Sequence, residues 1–486
     1  MSTTEILPAD TSASPPEPAG PGRPATRNGL QALAMRLHFY AGVFIAPFIL
    51  IAAVTGALYA ISPTLEDLTS QDLLRVEPHG TAKPLAEQVG AAVATRPDLA
   101  LVAVSPAPGA SDTTRVIFND PSLGESERRA VFVDPYTARP VGDSVVYGSS
   151  GALPLRTWID NLHRSLHLGE TGRLYAELAA SWLWIIGLAG LVLWFRRVRA
   201  RRERNSARWL LRPDRGKTGR TKTMNWHGAV GLWTLPVLLL IAATGMTWST
   251  YAGANVTELR EQLSWTTPAV SAKLPGSTAA APASGGDHQH AGHEAPKPEN
   301  PEQRIAQLDG VYAAARAAGI TQGAEISVPS EPGQAFAVKE RRMPGTYTVD
   351  SVAVDGSTGA VTDRLAFADW PLMAKLTNWG IAFHMGLLFG LPNQLLLLAA
   401  MIGLIFVIGY GYRMWWQRRP TRGSAFAVGR APRRGVLRKT SLWIAVPLLA
   451  AALVVGWFAP LVGLSLIAFL VVDVVLGSIQ RARASG

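Results

Sequence analysis

Cysteine is absent from all 486 residues. Its absence excludes disulfides, iron–sulfur clusters, thiolate zinc sites and covalent c-type haem attachment, leaving histidine and carboxylates as possible metal ligands. Acidic residues are scarce beside basic ones, 35 Asp and Glu against 46 Lys and Arg, for a net charge of +11. A basic surplus can mark a nucleic-acid binder, but here it does not lie on one periodic face. Residues 196–224 hold 12 Lys and Arg against 2 acids, and residues 417–441 hold 8 against none. Together these two short loops carry 20 of the 46 basic residues. Loops this basic mark the cytoplasmic side of a membrane protein, so topology explains the charge and nucleic acid is not an expected partner. Neither loop has a Gly-rich dinucleotide fingerprint or room for a Rossmann unit, so no nucleotide site is expected within these loops.

What the chain does have is a repeat. HFYAGVFIAPFILIAAVTG, from His38 to Gly56, returns as HGAVGLWTLPVLLLIAATG, from His227 to Gly245. Gly42 and Gly231, Pro47 and Pro236, Thr55-Gly56 and Thr244-Gly245 fall at matched places. At about 1.5 Å per residue each stretch can cross a hydrocarbon core of about 30 Å, so each reads as a transmembrane helix with a histidine at its basic end. A glycine one turn beyond each histidine leaves a bare spot where a flat ligand can lie. The two prolines read as tolerated helix kinks. With 48% hydrophobic residues and mean hydropathy +0.15, the profile is that of a polytopic membrane protein with soluble portions.

In chain order, residues 1–30 read as a disordered cytoplasmic tail and not a cleaved signal peptide. The first span (31–61) leads out to a small external α+β module (62–150), in which TTRVIFND and RRAVFVDPYTARPVGD have strand character. An amphipathic entry helix and the second span (154–196) return to a basic cytoplasmic loop (197–224). The third span (225–250) then delivers a flexible, histidine-containing segment (251–300) and a second α+β module (301–368). Asp355 and Thr358 of that module echo Asp134 and Thr137 of the first, all read as turn residues. An entry helix with the fourth span (369–417), a second basic loop (418–440) and a two-helix hairpin (441–479) complete the chain. The expected fold is a membrane α-helical bundle, with a duplicated four-helix core, a C-terminal hairpin and two small external domains.

Five of the nine histidines flank the repeated spans. By topology His38 and His227 lie at the cytoplasmic edge, and His163, His167 and His384 at the external edge. Bis-imidazole ligation of a haem needs two histidines on different helices facing each other, and this chain can meet that need once on each side. Since His163 and His167 sit four apart on one helix face, only one can oppose His384. His167 is favoured, because His167-Leu-Gly matches His384-Met-Gly in the repeat; His163 is then an alternative ligand or a neighbour of the propionates. Competing readings are interfacial capping histidines and a zinc or copper site built from His163, His167 and His384. His288, His290 and His293, in DHQHAGHE, form a candidate transition-metal site or a weak adventitious one.

These residues resemble a known family, the PepSY-associated transmembrane proteins, also called iron-regulated membrane proteins. The resemblance rests on LHFYAG and NWHGAVG with their following Pro and Thr-Gly, on LHLGETGRL before WLWIIGLAGLVLWFRR, on FHMGLLFGLPNQ, and on VDPYT and VDGSTG. It implies a bacterial inner-membrane protein with both termini cytoplasmic and two PepSY-like periplasmic domains. By the same resemblance it is a ferric-siderophore or ferric-chelate reductase carrying two b-type haems on His38, His227, His167 and His384. The alternatives are a PepSY-domain protein that regulates a peptidase or senses a ligand, and a metal-uptake accessory protein.

Overall fold

The computed structural model describes residues 25–200, 211–213, 216–277, 300–418 and 442–485. Helix α1 (Ala25–Phe44) is followed directly by α2 (Ala46–Thr69), with the junction at Ile45. Pro47, in the first turn of α2, is the cause. Proline has no N–H and frees the carbonyl four residues back. That carbonyl, on Val43, accepts a hydrogen bond from Tyr412 Oη at 2.9 Å. Its repeat partner Pro236 lies inside the continuous helix Gly219–Met246. The matched prolines therefore do different things.

A short helix, α3 (Gln71–Leu74), leads to α4 (Leu85–Thr95) and strands β1 (Ala100–Ser105), β2 (Thr114–Asn119), β3 (Glu127–Val133) and β4 (Pro140–Tyr147). Helix α5 (Pro154–Ser165) is the amphipathic entry helix, and α6 (Gly169–Ala200) follows it. The second half continues with α7 (Gly219–Met246), α8 (Tyr251–Gln262) and α9 (Pro301–Ala317). Then come β5 (Ala324–Ser327), β6 (Phe336–Glu340), β7 (Ser351–Val354) and β8 (Val361–Leu365), followed by α10 (Leu372–His384) and α11 (Leu391–Trp416). Helices α12 (Leu442–Phe458) and α13 (Pro460–Ser485) form the hairpin.

Among the described residues, five helices are long and apolar enough to cross a membrane: Ala46–Thr69, Gly169–Arg199, Gly219–Met246, Leu391–Trp416 and Pro460–Ile479. Leu442–Phe458 is apolar but shorter. Polar contacts hold the hairpin to the bundle. Asp473 pairs with Arg36 at 2.8 Å, Trp182 Nε1 donates to Ser465 Oγ at 2.8 Å, and Asn255 Nδ2 donates to the Phe458 carbonyl at 2.9 Å.

The two α+β modules share one sheet. All eight strands are antiparallel in the order β4-β3-β2-β1-β5-β6-β7-β8, and the halves join where Ala103 pairs with Ser327 and Val104 with Ile326. Pairing the two central edges buries strand edges that separate modules would leave open. Helices α4 and α9 cover one face, where Val89, Val104, Val116, Phe118, Leu308, Ile326, Phe336 and Val352 form a single core. Asp309 on α9 accepts hydrogen bonds from the backbone N–H groups of Leu85 and Ala86, capping α4 across the pseudo-symmetry. Asp134 and Asp355 close equivalent turns, each accepting from the threonine three residues on, Thr137 at 2.7 Å and Thr358 at 2.9 Å. The segment after α7 opens as helix α8, and Lys273 later bridges to Gln334, so its first part is ordered against the second module.

Candidate functional site

Sheet and bundle meet at α5 and α10. Glu66, near the end of α2, accepts the Leu153 N–H at 2.6 Å and lies 3.6 Å from Arg156, which fixes the start of α5. Arg342, in the loop after β6, donates twice to Asn378 Oδ1 on α10, at 3.0 and 2.7 Å. The last turns of α5 and α10 are thereby held over the sheet side of the bundle.

They carry His163 and His384. The two ring centroids are 6.4 Å apart. At the other end of the bundle, His38 of α1 and His227 of α7 face each other with centroids 6.0 Å apart. A metal bonded at about 2.0 Å to each Nε2, with about 1.1 Å from that nitrogen to the ring centre, puts opposed imidazole centroids about 6.2 Å apart. Both pairs meet that spacing.

Each imidazole is also held in one tautomer. His38 Nδ1 lies 2.9 Å from the Ile186 carbonyl and His227 Nδ1 lies 2.9 Å from the Val407 carbonyl. A carbonyl only accepts, so these Nδ1 atoms carry the proton. His163 Nδ1 is 3.0 Å from Thr55 Oγ1, and His384 Nδ1 is 2.9 Å from Thr244 Oγ1. Both threonine hydroxyls donate back to their own helix, to Ile51 at 2.9 Å and to Leu240 at 3.0 Å, so they too accept from Nδ1–H. In all four rings Nε2 keeps its lone pair for a metal, the usual arrangement of a buttressed metal-binding histidine.

Glycines make room for the rings. A methyl group at Gly190 would come within 2.8 Å of His38 Cε1, and one at Gly56 or Gly245 within 3.1 Å of His163 Cε1 or 3.2 Å of His384 Cε1. Gly411 has the same place beside His227, at 3.7 Å. Aromatic rings complete the sheet-side pair, Tyr59 stacked on His163 at 5.9 Å and Trp248 edge-on to His384 at 5.4 Å. The space beside Gly42 is open, whereas Gly231 faces Val407. One offset relates His163, Ile186 and Gly190 to His384, Val407 and Gly411. Each histidine is buttressed within its own half and faces its counterpart in the other.

His167 is placed elsewhere. Helix α5 ends at Ser165, and Leu166 and His167 both adopt left-handed backbone, φ 52° and 55°. The shared-face spacing of His163 and His167 therefore does not apply, and His167 is exposed beside Trp158. The glycine that starts the next helix sets the repeat register: Gly169 and Gly390, φ 57° and 59°, each lie six residues after their histidine, His163 and His384. Among the described residues no group of three His, Cys, Asp or Glu side chains could hold a metal ion, so the His163, His167 and His384 triad for zinc or copper is not assembled. His288, His290 and His293 lie outside the described residues. The backbone carbonyls of Ile186 and Val407 and the glycines beside them were not identifiable as partners beforehand.

The family model of the PepSY-associated TM region matches residues 35–418. The chain belongs to this family. The matched span contains the two histidine pairs and the whole sheet. Locally, the PepSY-associated chain is 39% identical over 93 residues to an uncharacterized protein of Pseudomonas aeruginosa strain PAO1. That stretch is 19% of this chain and 21% of the relative, so it spans about a fifth of either protein.

Proposed function

We propose that this protein is a di-haem electron conduit of the bacterial inner membrane that reduces a ferric chelate on the periplasmic side. The observation that carries this reading is the spacing of the two histidine pairs, 6.0 and 6.4 Å between centroids, with every Nδ1 engaged and every Nε2 left for a metal. The residues fit a porphyrin better than a bare ion. Two imidazole nitrogens would suffice where a macrocycle supplies the other four donors, no third ligating side chain gathers beside them among the described residues, and the absence of cysteine excludes covalent c-type attachment.

His38 and His227 would hold one haem, and His163 and His384 the other. Haem so held would supply reversible one-electron iron chemistry, which burial and the hydrogen bonds to these imidazoles would tune. The protein's own residues orient those imidazoles. The Ile186 and Val407 carbonyls fix one pair, Thr55 and Thr244 fix the other, and Tyr59 and Trp248 shield the sheet-side rings. From His38 to Thr55 the helix rises about 25 Å at about 1.5 Å per residue, so the two pairs serve opposite faces of the bilayer. With the basic loops cytoplasmic, the sheet lies in the periplasm beside the His163–His384 pair, where a ferric chelate would dock, while a cytoplasmic donor or quinol serves the other end.

The test is haem counting in detergent-purified variants. His163→Ala is expected to fall from two haems per chain to one, and His167→Ala to keep two. Equal haem in both variants and in the unaltered protein contradicts the pairing.

A further inference from the structure

The sheet face turned away from α4 and α9 holds a cavity of about 160 Å³. It is strongly basic. Along β2 the side chains alternate: Thr114, Val116 and Phe118 face inward, while Arg115 and Ile117 point to the other side, where Arg115 enters the cavity. Arg128 and Arg341 line it as well, with Glu325 as its acidic member. Glu325 is engaged by Lys339, its cross-strand partner, at 3.1 Å. The nearby carboxylates Glu66 and Asp112 are paired too, Glu66 with Arg156 at 3.6 Å and Asp112 with Arg75 at 2.6 Å. The cavity thus retains a positive surplus.

The arginines spend few of their N–H groups on the protein itself. Arg115 is stacked over Phe132, its cross-strand neighbour, at 5.3 Å, and spends one N–H on the Gly151 carbonyl at 3.2 Å. Arg128 gives one N–H to the Glu127 carbonyl at 2.8 Å. The Arg341 guanidinium makes no hydrogen bond among the described residues. Gly148 and Gly151, φ 63° and 60°, form the loop that closes one side, and a methyl group at Gly151 would come within 3.3 Å of Arg115 Nη1. Burial, together with the neighbouring charge of Arg341, lowers the pKa of Arg115. The walls lead to the sheet-side histidines: the 148–151 loop runs into α5, which carries His163, and Arg341 precedes Arg342, the anchor of α10, which carries His384.

We propose that this cavity binds carboxylate groups of the ferric chelate, so that the substrate is an anionic polycarboxylate complex. This rests on the reductase reading for the iron, but not for the anion. Arginine forks match carboxylates two N–H groups at a time. A cavity of this size takes a benzene-sized group, enough for one or two carboxylate arms and not for a whole bulky chelate.

Calorimetric titration of the purified full-length protein with iron-free citrate tests the anion site, and oxidation of the pre-reduced protein by ferric citrate tests its use. Citrate is expected to bind, and Arg115→Gln with Arg341→Gln to weaken binding by at least about tenfold per arginine. Oxidation by an uncharged ferric trihydroxamate should be unchanged in that variant. Should the double variant not fold, Arg128→Gln, at a guanidinium with one backbone contact, is expected to weaken citrate alone. Citrate affinity unaltered in a folded variant, no citrate binding by the unaltered protein, or inorganic phosphate bound as tightly as citrate each overturns the carboxylate site. A protein without haem that still binds citrate through these arginines sinks the reductase reading and keeps the site.

Discussion

Thr55→Val and Thr244→Val probe the sheet-side pair without touching a ligand. Valine keeps the shape and β-branching but removes the oxygen that accepts from His163 Nδ1 at 3.0 Å or His384 Nδ1 at 2.9 Å. The His163 imidazole then loses its tautomer lock and leaves an N–H without a partner, while His384 keeps only the Ile241 carbonyl. Loss of such a supporting partner typically weakens metal binding by about 10–100-fold, or about 1.4–2.7 kcal/mol. Because each threonine holds one histidine of the same pair, both variants should strike the same haem. The His38–His227 pair is buttressed by Ile186 and Val407 on other helices and should keep its haem. Haem retention during dilution in detergent, followed by the pyridine haemochrome spectrum, gives the count, and redox titration gives the potentials. Each variant is expected to hold one haem tightly and one about 10–100-fold more weakly, with only the weakened haem shifted in potential. Two haems of native affinity and potential in both variants would refute the assigned buttressing.

The other pair is addressed by Gly190→Val, whose side chain meets His38 within 2.8 Å at its first carbon; it should lose the His38–His227 haem and spare the other, read from the same haemochrome assay. Glu66→Ala removes both a buried ion-pair partner and the acceptor for the Leu153 N–H, and is expected to destabilise the fold by about 3 kcal/mol, seen as a lowered Tm in detergent. In the sheet, burial raises the Asp134 pKa, but hydrogen bonds from Thr137 and the Tyr136 N–H outweigh it and leave the pKa below the ordinary carboxylate value. A depressed folded pKa contributes stability above the unfolded value, about 3.9, and loses it as pH falls through the folded one. Asp134→Asn should therefore lower Tm near neutral pH, the gap to the unaltered protein closing below about pH 4; a constant gap across that range counts against this.

Hydrophobic length and repetition made the bundle legible before any coordinates, because a membrane span is a local property of consecutive residues. Three of the paired residues, His38, His227 and His384, were named from the repeat as span-end histidines, but the fourth was expected to be His167, with His163 only its alternative. Matching His167-Leu-Gly to His384-Met-Gly joined the wrong glycines, and the left-handed break at Leu166 and His167, which ends the shared helix face, has no residue signature there. Fusion of the two modules into one sheet depends on β1 meeting β5 across the five helices α5 to α9, a non-local pairing that strand patterns do not encode. The Ile186 and Val407 carbonyls are backbone atoms, which any residue would supply, and only Gly190 and Gly411 hint at them.

The most direct measurement is the visible spectrum and haem stoichiometry of the full-length protein purified from its membrane. Two b-type haems per chain, reduced by dithionite to sharp α and β bands and reoxidised by a ferric chelate, are expected. A colourless chain that takes up no added haem would contradict the pairing of these imidazoles across a porphyrin.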